Sequence, residues 1–191
     1  GSSDKVRWSA VGSITKVKIE FSSNGGGQWS TLTTGPDHAT GQYGTNEWDW
    51  DPVSDALSSN CLIKISDVDY PSIENTSDST FTVLAEVAIT EPTDSSRWVV
   101  GSDQWIRWTH QGSIGNVKIT YSKDGGSDNY PFTVIATTSG IADEYEWEDI
   151  PDVLSATCDG HNIKVKVALI GYESTVNSES QPFTIYGGLI V

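Results

Sequence analysis

The sequence predicts an all-β chain of two β-sandwiches in tandem. The first observation is a stretch present twice: residues 12–26 read GSITKVKIEFSSNGG and residues 112–126 read GSIGNVKITYSKDGG, identical at nine of fifteen positions. An offset of 100 residues marks a repeated domain, because solenoid units recur at shorter spacings. The second is alternation. Val17, Ile19 and Phe21 alternate with Lys18 and Glu20, and Val117, Ile119 and Tyr121 do likewise, the period of a strand with one buried and one wet face. The third is the closing Ser-Asn-Gly-Gly or Lys-Asp-Gly-Gly, whose residues tolerate positive φ and turn a hairpin.

Module 1 is read as residues 1–85 and module 2 as residues 86–186, with residues 187–191 as a separate C-terminal strand. In module 1, Val6 and Trp8 share a strand face opposite Lys5 and Arg7, matching Ile106 and Trp108. Trp29 and Leu32 match Phe132 and Ile135 on the next strand. Trp48 and Trp50 then match Tyr145 and Trp147, two apart and on one face. Ile63-Lys64-Ile65 and the strand from Ile163 to Val167 follow, and each module finishes on Phe-Thr-aliphatic at Phe81 and Phe183. Trp8, Trp108, Val17, Val117, Ile19, Ile119, Trp50, Trp147, Phe81 and Phe183 are the expected core. Short alternating strands without helical periodicity place both modules in the immunoglobulin or fibronectin III-like class of sandwich.

The segment from Glu86 to Val100 reads as the first strand of module 2, broken at an edge by Pro92. Only a short joint separates it from Val83, which predicts a semi-rigid rod. Module 1 has no counterpart of this segment. At the other end, residues 187–191 follow Phe183-Thr184-Ile185 as the opening of such a strand follows Phe81-Thr82-Val83. A missing strand exposes apolar core and unpaired backbone. Gly188, Leu189, Ile190 and Val191 are therefore the expected donor of a strand laid beside Val6 of another copy or a neighbouring module. The competing expectation is that the chain is a piece of a longer array whose preceding segment supplies the strand, since Gly1 is no translational start.

The formal net charge of −15 opposes nucleic acid and anionic membrane surfaces as partners. No apolar run approaches the ~18 residues of a membrane span. The two cysteines, Cys61 and Cys158, read as equivalent positions in different modules, hence as buried free thiols too far apart to bridge.

Ile106-Arg107-Trp108, Gly112-Ser113-Ile114, Val117-Lys118-Ile119, Tyr121-Ser122 and Asp124-Gly125-Gly126, with Cys61-Leu62-Ile63-Lys64-Ile65 in module 1, resemble a known repeat. It is the immunoglobulin-like repeat of large secreted and surface proteins of bacteria, related to the fungal Kre9/Knh1-like cell-wall family. Cys158 departs from its pattern, because Asp159-Gly160-His161 intervenes before the strand, and Asn24 replaces the usual turn Asp. The resemblance implies an extracellular or cell-surface, non-catalytic role and carries over no functional residues.

Enzyme signatures are missing: there is no G-x-S-x-G elbow, H-E-x-x-H, phosphate loop or paired-Cys motif. Neither cofactor nor metal is expected. Asp67-Val68-Asp69 and the Asp124 turn offer paired oxygens without the spacing of a calcium loop. Trp98 and Trp105 stand off the core pattern and are the candidate surface aromatics, for sugar stacking or for packing. Asn75-Thr76-Ser77 fits a glycosylation acceptor. The expected function is thus a non-enzymatic structural module of an extracellular fibre, stalk or surface layer, assembling head to tail by strand addition. The alternative is a carbohydrate-binding or adhesive accessory module with polysaccharide as partner.

Overall fold

The computed structural model describes residues 2–37, 44–127, 131–153 and 161–188. The chain divides into two compact units, Gly1–Leu84 and Ala85–Val191.

In the first unit, β1 (Asp4–Ala10) pairs antiparallel with β4 (Gly44–Trp50), in register from Asp4↔Trp50 to Ala10↔Gly44. The facing sheet runs β3 (Ser30–Asp37), β2 (Lys16–Ser22), β5 (Ser58–Asp67), β6 (Glu74–Thr76), with β7 (Phe81–Val83) also paired to β5. The alternation in β2 turns Val17, Ile19 and Phe21 inward, where they pack with Val6, Trp50 and Cys61. The repeated turn is tied down from within. Ser22 Oγ accepts the N–H of Gly26 at 2.9 Å, and Ser122 Oγ accepts that of Gly126 at 2.7 Å. Gly126 sits at φ +84°, and a Cβ there would meet the Phe132 ring at 2.6 Å, so both backbone and space demand glycine.

The second unit contains β8 (Glu86–Glu91), β9 (Arg97–Val99), β10 (Gln104–Gln111), β11 (Asn116–Ser122), β12 (Thr133–Ser139), β13 (Glu144–Trp147), β14 (Lys164–Leu169), β15 (Asn177–Glu179) and β16 (Thr184–Tyr186). One sheet is β13-β10-β8 and the other β12-β11-β14-β15, while β16 pairs with β9 in parallel. The segment read as one first strand is therefore two strands in different sheets. β8 runs against β10, and after Pro92 the chain crosses so that β9 lies beside β16. Two antiparallel sheets facing each other, with the opening segment shared between them, make an immunoglobulin/fibronectin III-like sandwich. The first unit repeats this order without the counterparts of β8 and β9 among the described residues.

Eight of the ten expected core residues are buried in their units; Trp8 and Phe81 are half-buried. The cysteines are not equivalent positions. Cys61 is a buried free thiol that pairs with Phe81, as Ile163 pairs with Phe183. Its counterpart is thus Ile163, and Cys158 lies outside the described residues. The four residues between Cys158 and Ile163 include Asp159-Gly160-His161, the insertion that already broke the motif.

Candidate functional site

Strand pairing gives an equivalence between the units that the sequence offset blurs. Ile19 faces Ile65 as Ile119 faces Val167, and Phe21 faces Ile63 as Tyr121 faces Val165. Ser77 Oγ accepts the Ile63 N–H as Ser180 Oγ accepts that of Val165. The Asp67 N–H reaches the Ile73 carbonyl as the Leu169 N–H reaches that of Val176.

Burial at equivalent positions then differs in one direction. Val165 and Val167 are fully buried, whereas Ile63 and Ile65 are half-buried. Phe183 is buried and Phe81 is half-buried. Val176 is 2 % exposed, whereas Ile73 is 52 % exposed. In unit 2 the covering element is β8 and β9. Val87 of β8 is buried, β8 packs on β15 and β14, and the Ile89 N–H donates to Ser178 Oγ at 3.1 Å. Trp98 of β9 is buried edge-on to Phe183, with centroids 4.6 Å apart, and to Trp147 at 6.2 Å.

In unit 1 the same place is an open groove between β1 and the β6–β7 edge. Its larger part is a cavity of about 510 Å³ walled by Val6, Trp50, Ile63, Ile65 and Phe81. A smaller part of about 230 Å³ follows, lined by Trp8, Ile14, Ile65 and Ile73. The rings of Trp50 and Phe81 stand edge-on with centroids 6.3 Å apart, and they are the counterparts of the two rings that hold Trp98.

Charges at the rim follow the same logic. Arg107 bridges Glu91 of β8 and Glu144 of β13, which hold its guanidinium pKa above the ordinary value. Its counterpart Arg7 reaches Glu47, the equivalent of Glu144, at 3.5 Å. Among the described residues nothing stands in the place of Glu91. Lys5 sits beside Arg7, and Glu47, then Asp49, holds its ammonium pKa up.

The residues expected at the site fall as follows. Val6 lines the larger cavity. Gly188 is exposed at the end of the described chain, 3.0 Å in Cβ distance from Val99 Cγ1; Leu189, Ile190 and Val191 lie outside the described residues. Asn75 is exposed on β6 and lines both cavities, at the position of Ser178. Trp105 is 38 % exposed with the Arg107 guanidinium over its ring at 5.6 Å. Trp98 is a correction: it is a core residue, because the crossing at Pro92 restarts the inward-outward phase, and it is no surface aromatic. The roles of Trp50, Phe81 and Arg7 as groove walls and rim were missed; tracing each residue's partner in the complete module would have signalled them.

The oxygens considered for calcium act in turns. Asp67 Oδ1 accepts the N–H groups of Asp69 and Tyr70, and Asp124 Oδ1 accepts from Asn162 Nδ2 at 2.7 Å. Among the described residues no three His, Cys, Asp or Glu side chains gather as a metal site, and no helix is long and apolar enough to cross a membrane.

No protein-family model matches the chain, and no curated protein matches it. Solved structures that are similar include the fibronectin(III)-like modules of Clostridium thermocellum CbhA, at 18% identity and a TM-score of 0.39, over 96% of this chain and 86% of that one. The N-terminal four Ig domains of a Dscam1 isoform are similar at 13% identity and a TM-score of 0.38, over 96% of this chain and 41% of theirs. The FN1-FN3 domains of chicken CNTN1 follow at 12% identity and 0.34, over 90% and 55%. The chain thus spans about half the length of the latter two.

Proposed function

We propose that the chain is a non-enzymatic structural segment of an extracellular fibre, stalk or surface layer, joined to its neighbours by β-strand addition at module 1. The observation that supports this reading is the open groove. One edge of β1 is paired by β4, while its other edge borders cavities walled by buried and half-buried core residues. Such a face gains from an added strand in two ways: main-chain hydrogen bonds supply affinity, and alternate side chains fill pockets. The donor is the opening strand of a neighbouring module or of another copy, the strand that residues 187–191 begin, with Leu189 and Val191 at the positions that enter the groove. The contact is head to tail, so repetition builds an open filament. Polysaccharide binding would rest on Trp105 alone, a single indole already stacked by Arg107, and is the less supported reading.

Sedimentation of the chain over a wide concentration range tests this. Concatenated species at multiples of 20.7 kDa are expected, and deletion of residues 187–191 should return monomers. A chain that stays monomeric at every concentration, with and without those residues, would sink the head-to-tail version.

A further inference from the structure

We infer that module 1 discriminates among incoming strands, and that its partner is a neighbouring module's opening segment carrying two keys: an acidic residue and, seven positions on, an aromatic. This rests on the strand-addition reading and specifies its partner.

The first key comes from charge. Arg107 is held from both sides, by Glu144 of its paired strand and by Glu91 of the opening segment. Arg7 keeps only the first of these contacts, through Glu47, and its side chain remains 57% exposed. An acidic residue at the place of Glu91 completes the pair and fixes the register of the incoming strand. A one-residue slip would bring a different side chain to Arg7 and turn the apolar positions outward.

The second key comes from shape. Trp98 is seven residues beyond Glu91 and is buried between Phe183 and Trp147. The counterparts Phe81 and Trp50 wall the cavity of about 510 Å³, with Ile63 and Ile65 half-buried behind them. A void beside aromatic walls forfeits the contacts that a filling ring would make. The full partner is therefore a strand with the pattern Val87-x-Ile89-x-Glu91 followed by Trp98, the pattern that module 2 uses on itself.

The probe is a synthetic peptide of residues 85–100 with 5-fluorotryptophan at position 98, titrated into the full chain and followed by fluorine NMR and calorimetry. Binding with a shifted, immobilised fluorine resonance is expected. A peptide with Trp98→Ala should bind at least tenfold more weakly. A peptide with Glu91→Lys should also lose affinity and regain it against the Arg7→Glu chain, which places the peptide on module 1. Arg7 is exposed, so that variant folds. If both altered peptides bind as well as the parent, strand addition stands and the two keys fall. If no peptide binds, both fall together.

Discussion

Glu20 shows how one residue ties stability to pH. It is a buried carboxylate on β2 held by Lys18 at 2.6 Å and Lys64 at 3.1 Å. Burial works against its charge, but hydrogen bonds and attraction from the two lysines outweigh burial and keep its pKa below the ordinary value. A lowered folded-state pKa stabilises the fold fully above the unfolded value, about 4.3, and that stabilisation is lost as pH falls through the folded one. Calorimetry of the Glu20→Gln chain should therefore show a shallower acid-side decline for module 1 below about pH 4.3. Module 2 has Thr120 at this position, so its transition should not respond; parallel curves for both chains would contradict the assignment. Trp108 is a second case. It is 2 % exposed and its Nε1 donates to the Gly140 carbonyl at 2.8 Å. Trp108→Ala should cost about 3–5 kcal/mol and lower the module 2 transition. Trp8→Ala should cost less, because Trp8 is half-buried and its Nε1 is buried without a partner among the described residues. Asn75 lines both cavities, which gives a prediction for a chain glycosylated there. A glycan on it would stand in both cavities, so glycosylated chain should bind the peptide of residues 85–100 at least tenfold more weakly than the same chain after enzymatic deglycosylation.

At the scale of elements, alternation and turn chemistry were enough to find most strands, because β1, β2, β10 and β11 each turn alternate apolar residues inward and are followed by a glycine turn; Glu20 and Thr120, on the face expected to be wet, are buried as well. The sheet crossing at Pro92 was not legible. Parity arguments hold only while a chain stays in one sheet, and the loop from Thr93 to Ser96 resets them, which is why Trp98 looked exposed and is core. The cysteines misled for a related reason: Cys61 corresponds to Ile163 by strand pairing, and an insertion upstream of Ile163 had blurred that alignment in the sequence. The half-buried state of Phe81 and Ile65 could not be read from their own strands, since it depends on a covering element elsewhere. Packing at the second bend of module 2 is equally non-local. Gly140 is buried, and a Cβ there would lie 2.5 Å from Ile114 Cδ1 and 2.7 Å from the Gly115 carbonyl. Gly140→Ala should destabilise module 2 by about 1–3 kcal/mol, read as a lowered midpoint in denaturant; an unchanged midpoint would mean the turn yields freely.

Across the whole molecule, the pairing of β9 with β16 has a mechanical consequence. These strands run parallel, with Thr184, Ile185 and Tyr186 opposite Arg97, Trp98 and Val99. Tension applied between the start of module 2 and its end pulls such strands past each other along their length, so their hydrogen bonds must break together. In module 1, β7 has no parallel partner among the described residues, so no such sheared pair resists the pull there. Stretching single molecules should give a low-force event for module 1 and a separate, higher one for module 2, since forced unfolding follows the unfolding barrier. Supplying the peptide of residues 85–100 should raise the first event toward the second. A material made of such units would then be extensible where its grooves are empty and stiff where they are filled.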